Sequence, residues 1–163
     1  NKLSKIFDQK NKYLGIAPGA GERNKIWDIE NFIKVAKYFE KKSFKIVFFL
    51  GPREKNIKEK IKTLFPFAIF PEEQISDFSN IEIIMASTKF LSVALSNDSG
   101  VSHMLSTNYC PLVKLFGPKN SLKFTPNLTN IFTISAEEFE SSDINSIRYE
   151  DVINKLNYII QHV

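Results

Sequence analysis

Apolar residues fall in short runs separated by amphipathic stretches, and this alternation repeats along the chain. Residues 13–17 are apolar throughout and stop at Pro18-Gly19, the pattern of a buried strand closed by a turn. Residues 28–41 place Ile29, Phe32, Ile33, Ala36 and Phe39 on one face at helical spacing. Asp28 is suited to cap that helix, and Trp27 just before it to pack on Phe32 as a hydrophobic staple. A second strand is expected over 44–50, fully apolar from Ile46 and ending at Gly51-Pro52, then a basic amphipathic helix over 53–64. The pattern continues with a strand at 67–70 and a helix at 79–87 whose apolar face is Ile81, Ile84 and Met85. It goes on with a strand at 90–95, a short helix at 99–107 and a strand at 112–116 that ends at Gly117-Pro118. A loop through Pro126, a strand at 131–134 and a helix at 149–161 complete the chain, and the polar stretch 135–147 has no clear period.

Strands separated by single helices and buried on both faces pair in parallel. The expected fold class is therefore α/β, an open doubly wound parallel sheet with helices on both sides. In such a sheet ligands bind beyond the carboxyl ends of the strands. No internal repeat, low-complexity tract or linker divides the sequence, so 1–163 reads as one domain.

Composition narrows this picture. The 163 residues are 43% hydrophobic and 25% charged, the balance of a soluble globular domain. A chain this long buries roughly two-thirds of its unfolded surface and needs no disulfide or metal to fold. No apolar run approaches the roughly 20 residues of a membrane span. The N-terminus is polar and basic, unlike a signal peptide, and the single cysteine, Cys110, excludes an internal disulfide. Both features lead to an expected cytoplasmic location. The chain begins at Asn1 without a methionine, which suggests a fragment or a processed chain.

The formal charge of +4 hides an asymmetry: residues 1–62 carry +9 and the remainder −5. A basic half suits an anionic partner such as phosphate, an anionic membrane or nucleic acid, or is simply a solvated lysine-rich surface. The aromatics sit in apolar runs and not between lysines, so stacking on bases is poorly supported and no nucleic-acid partner is expected. Two histidines and one cysteine build no zinc site without well-spaced carboxylates, and no metal or other cofactor is expected. Neither Gly-x-Ser-x-Gly nor a Walker A sequence is present.

Three loops at strand ends remain as candidate chemistry. The first runs from Ala17 to Trp27, with Gly19, Ala20 and Gly21 small enough for close approach of a ligand to the backbone. Lys25 offers a point charge to a diphosphate, although a plain strand-to-helix loop reads the same way. The second is Asn97-Asp98-Ser99-Gly100-Val101-Ser102-His103, after a buried strand and opening a helix. Glycine costs a helix about 1 kcal/mol relative to alanine, so Gly100 in the first turn suggests room kept for a ligand. His103 lies a little over one turn on and can reach the same site; alternatively Asp98 is only a cap and His103 a half-buried histidine with its own partner. The third is Phe116-Gly117-Pro118-Lys119-Asn120-Ser121, and Gly51-Pro52-Arg53 ends another strand nearby.

Together Ala17-Pro18-Gly19-Ala20-Gly21 with Lys25-Ile26-Trp27, Ser96 to His103, and Lys114-Leu115-Phe116-Gly117-Pro118 resemble the ADP-heptose:lipopolysaccharide heptosyltransferases, glycosyltransferases of the GT-B fold. The resemblance covers about residues 12–126 and corresponds to the C-terminal domain of such enzymes. It implies a Rossmann-like domain that binds a nucleotide-sugar donor, ADP-heptose in the best-known members. It implies an inverting transfer in lipopolysaccharide core or related glycan synthesis. Lys25 matches the lysine that contacts the donor phosphates, with Gly19 to Gly21 beside them. Asp98, Ser99, Gly100 and His103 match the element lining the diphosphate and sugar, and Gly117 and Pro118 border it; Gly51, at the end of another strand, is added to the donor-binding candidates from its place beside these loops. Members often carry a hydroxyl residue where this chain has Ala20 or Gly21, so only backbone contacts to phosphate are expected there. The general base and the lipid-linked glycan acceptor belong to an N-terminal domain of the same enzyme, and no catalytic base is expected in this chain. An acceptor of that kind can draw the enzyme to the inner membrane's periphery. The competing reading is a non-enzymatic α/β regulatory domain that binds a nucleotide or phosphate. It needs an acidic, phospho-accepting pocket at the strand ends, and the first loop offers none.

Overall fold

The computed structural model describes residues 2–118 and 129–163. Five parallel strands form one sheet: β1 (Lys12–Ala17), β2 (Phe44–Phe48), β3 (Val93–Asn97), β4 (Leu112–Phe116) and β5 (Ile131–Ser135), in the order β2-β1-β3-β4-β5. The helices are α1 (Leu3–Ile6), α2 (Ile29–Lys41), α3 (Lys55–Leu64), α4 (Pro71–Gln74), α5 (Asn80–Ser87), α6 (Gly100–Leu105) and α7 (Tyr149–His162). The expected doubly wound α/β architecture is what the chain adopts.

Alternation along the strands builds two cores, one on each face of the sheet. Leu14 and Ile16 of β1 face a cluster with Phe32, Ile33 and Phe39 of α2, Ile61 of α3 and Val152, Leu156 and Ile159 of α7. Tyr13 and Ala17 face the opposite cluster, with Leu3 of α1, Ile83 and Ile84 of α5 and Leu105 of α6. Asp28 caps α2 by accepting from the Glu30 N–H, and the rings of Trp27 and Phe32 meet edge to face at 5.0 Å.

Four expectations need correction. The stretch 67–70 is no strand: only Ile69 pairs, bridging Val47, while Phe67 is 81% exposed. Pro66 and Pro71 bracket too few residues for a ladder, and Pro71 starts α4. The strand expected at 90–95 is shifted to Val93–Asn97. Phe90 instead ends a 3-10 turn after α5 and stacks on Phe7, while Ser96 and Asn97 stay in register with Lys114 and Leu115. On α5 the buried face is Ile83, Ile84 and Ser87; Ile81 and Met85 are 53% and 39% exposed. The helix expected from 53 opens with a 3-10 turn, Pro52–Glu54, before α3. The unassigned stretch 135–147 folds as two 3-10 turns, Ala136–Phe139 and Ile144–Ser146. Lys119, Asn120, Ser121 and Pro126 lie outside the described residues.

Candidate functional site

In this strand order the chain leaves β1 towards β2 on one side and enters β3 on the other. The crevice beyond the carboxyl ends of β1 and β3 is thus the switch point where doubly wound sheets hold ligands. The first two candidate loops end there. Asn97 ties them together: its Nδ2 donates to the Pro18 carbonyl at 2.7 Å and its Oδ1 accepts from the Trp27 N–H at 3.2 Å. Trp27 is held in turn by its Nε1–H, which donates to the Ile147 carbonyl at 3.0 Å. The Asp28 N–H donates to Asn145 Oδ1 at 2.8 Å.

Asp98 is not the cap of α6. Ser99 fills that place, accepting from the Ser102 N–H, while Ser102 Oγ accepts from the Ser99 N–H. The Asp98 carboxylate, 9% exposed, instead bridges two lysines: Oδ2 takes Lys25 Nζ at 3.0 Å and Oδ1 takes Lys114 Nζ at 2.9 Å. Burial is the strongest influence on Asp98 and favours its protonation. The hydrogen bonds and charges of Lys114 and Lys25 together outweigh it, and the carboxyl is held below the usual carboxylate range. For Lys25, burial is again strongest and opposes the charge, yet Asp98 and then Glu22, 3.4 Å away, raise it above the usual lysine value.

Beside this cluster a cleft of about 300 Å³ is walled by Gly19, Ala20 and Gly21, by Gly51, Arg53 and Glu54, and by Ser99 and Gly100. Arg53 donates to the Gly21 carbonyl at 3.2 Å, which closes the wall between two loops. The Glu54 carboxylate covers Gly19: a Cβ at Gly19 would lie 2.4 Å from Glu54 Oε1. Nothing lies within 4 Å of a Cβ added at Gly100, so the protein itself has room for a methyl there. Gly117 differs, since a Cβ there would stand 2.9 Å from the Asn24 carbonyl oxygen. It lets β4's end pack against the first loop, and Pro118 follows it on the surface.

The structure therefore gathers Gly19, Ala20, Gly21, Gly51, Ser99 and Gly100 around one cleft. Lys25 and Asp98 are paired with each other next to it, Asp98 adjoining the Ser99 wall, and do not line it themselves. Gly117 supports the first loop from behind. His103 is not brought in: it is exposed on α6 and lines no part of the cleft. The half-buried alternative for His103 fails for the same reason. α6 has only six residues, so the lysines supply most of the positive field and the helix dipole little. Sequence reasoning placed Arg53 near the site and Lys114 in a matching stretch without giving either a role, and it passed over Glu54 and the tethering role of Asn97. Among the described residues no three His, Cys, Asp or Glu side chains cluster as a metal site, and no helix is long and apolar enough to cross a membrane.

A sequence profile of glycosyltransferase family 9 (heptosyltransferase) matches residues 1–152. The chain belongs to glycosyltransferase family 9. This family 9 chain is 29% identical over 136 residues to the lipopolysaccharide core heptosyltransferase OpsX of Haemophilus influenzae, matching 81% of this chain and 38% of that protein. The chain thus spans about two-fifths of the length of the curated relatives it matches. A family 9 glycosyl transferase structure from Veillonella parvula superposes with a TM-score of 0.81 at 21% identity, over 99% of this chain and 49% of that one. The E. coli heptosyltransferase WaaC with ADP superposes with a TM-score of 0.79 at 14% identity, over 96% of this chain and 47% of that one. These likenesses show the fold, a Rossmann-like α/β domain that the chain shares with about half of each of those structures.

Proposed function

We propose that this family 9 chain is the donor-binding domain of an inverting glycosyltransferase, and that the glycine-walled cleft receives the diphosphate of a nucleotide-sugar. The observation that carries the reading is the Lys25–Asp98–Lys114 cluster at the switch point of the sheet, with Asp98 one residue from the Ser99 wall of that cleft. As the glycosidic bond breaks, negative charge collects on the departing diphosphate. A lysine held within reach of that diphosphate stabilises the charge more in the transition state than in the ground state. Backbone approach is open at Gly21 and Gly100, where an added Cβ meets nothing within 4 Å, while the acceptor-only Glu54 carboxylate over Gly19 and Gly51 suits hydroxyls more than phosphate.

ADP-heptose is the donor we favour, since family membership and a fold neighbour determined with ADP support an adenine nucleotide. Transfer to a lipid-linked acceptor in lipopolysaccharide core synthesis, on the cytoplasmic side of the membrane, follows from the same reading. The acceptor, and the base that deprotonates it, belong on a second, N-terminal domain. His103, exposed on α6, is left for the part of the donor that projects past the cleft; Gly117 and Pro118 border it.

The test is thermal unfolding with ADP. At a hundredfold excess over its dissociation constant a ligand stabilises by about 2.7 kcal/mol, roughly 5–10 °C for a chain of this size. Lys25→Ala is expected to abolish that shift. Absence of any shift with millimolar ADP, UDP or GDP, or with their sugars, overturns the reading.

A further inference from the structure

We propose that Lys114 is a positioning residue of the donor site: it holds the Asp98 carboxylate permanently, so that Lys25 is free to leave Asp98 for an incoming diphosphate. The proposal rests on the donor-binding reading above.

The two lysines on Asp98 are not equivalent. Lys114 is 1% exposed and sits in the middle of β4, paired to β3 on one side and β5 on the other. Its ammonium also lies over the Phe116 ring, 5.1 Å from the centroid. A strand bonded on both sides fixes its stem, so its charge cannot follow a ligand. Lys25 lies on a 3-10 turn, Arg23–Lys25, and its side chain is 17% exposed. Its partly exposed side chain can swing towards a ligand from a fixed backbone, which the fully buried Lys114 side chain cannot.

A single buried ion pair would make that movement expensive. If Lys25 were the sole partner of Asp98, drawing it onto a phosphate would leave a carboxylate of 9% exposure without a counter-charge. Donor binding would be weakened by that whole penalty. With Lys114 in place, Oδ1 keeps its partner while Oδ2 gives up Lys25. Glu22, the other acid beside Lys25, is 53% exposed, so water reaches its carboxylate when Lys25 moves. The Lys114 row also offers a further polar group. Ser96, its register partner in β3, has a fully buried hydroxyl that makes no hydrogen bond among the described residues.

A calorimetric titration of ADP into four forms of this chain tests the proposal: wild type, Lys114→Met, Asp98→Asn and the double variant. Lys114→Met still folds, because Asp98 keeps Lys25, but Lys25 is then no longer spared for ADP. Affinity is expected to fall about tenfold or more. In the Asp98→Asn, Lys114→Met double variant no carboxylate has to be left behind, and most of the loss is expected to return. Should Lys114→Met unfold, Lys114→Gln, which keeps a donor without the charge, is expected to show the same loss and the same rescue. Wild-type affinity in Lys114→Met overturns the proposal and leaves the donor reading standing. Equal weakness in the single and double variants means that Lys114 only packs the strand, and also overturns it. If wild type itself binds no ADP, the donor reading falls and this proposal with it.

Discussion

Gly100→Ala separates the demands of the fold from those of the ligand, because the two move in opposite directions. Gly100 is the first residue of α6, its backbone is not left-handed, and nothing lies within 4 Å of an added Cβ. Alanine at such a position restricts the unfolded chain without straining the folded one, which stabilises by about 0.4–1 kcal/mol. For a domain of this size that raises the melting temperature by about 1–4 °C. The same methyl projects into the cleft of about 300 Å³ that Gly100 shares with Gly19 and Gly51. A ligand lying on that glycine wall must shift by most of a methyl radius, and a loss of about 1.4 kcal/mol, tenfold in affinity, is the expected scale. The assay pairs a thermal melt of the free chain with an ADP titration. A more stable chain that binds ADP as before would show that the ligand does not rest on Gly100. A less stable chain would show that the glycine serves the fold, and the argument from open space would be wrong.

Gly117→Ala is the counterpart. Its Cβ would stand 2.9 Å from the Asn24 carbonyl oxygen and 3.1 Å from Ile144 Cβ, so overpacking of about 1–3 kcal/mol is expected in denaturant unfolding. ADP binding should weaken too, because Asn24 adjoins Lys25; a variant as stable as wild type would refute the close approach. Glu72 gives a pH dependence: burial, the largest influence, pushes its carboxyl from the usual 4.5 up to about 7, despite a hydrogen bond from the Leu50 N–H and the charge of Lys58. A raised carboxyl favours folding while protonated. That contribution is complete below about pH 4.5 and is lost as pH rises through about 7. Linkage allows about 3 kcal/mol, which solvent at a half-buried site reduces to about 1–2 kcal/mol. Urea unfolding from pH 4.5 to 8 should show this loss in wild type and not in Glu72→Gln; parallel curves would place the charge elsewhere.

Much of the fold is legible in local pattern because parallel strands buried on both faces must be continuously apolar. That is why β1, β2 and β4 stand out, each closed by Pro-Gly or Gly-Pro. The staple of Trp27 and the cap of Asp28 are equally local and are found where expected. What fails depends on distant partners. Helical period alone does not choose between Ile81-Ile84-Met85 and Ile83-Ile84-Ser87; packing of α5 under the sheet does. Ser96 and Asn97 look too polar for a buried strand, and they belong to it because the backbone pairs with both neighbouring strands and distant loops satisfy the Asn97 amide. The candidate site divides in the same way. Glycines at strand ends are visible in sequence, and their convergence follows from topology. Lys114 did carry a signal, a cation inside the run Leu112-Val113-Lys114-Leu115-Phe116, which demands a buried counter-ion. That the counter-ion is Asp98 depends on the β3–β4 register.

The tethers around Trp27 reach further than their length suggests. The loop carrying Lys25 is tied to β3 through Asn97, and just beyond it Trp27 and Asp28 are tied to the 144–147 turn through Ile147 and Asn145. Its mobility is therefore surrendered when the domain folds, and a ligand arriving later finds a loop already immobilised. On the donor-binding reading proposed above, affinity becomes a property of the whole sheet, and a change as remote as Asn145, outside every wall of the cleft, is expected to weaken ADP binding in the same titration.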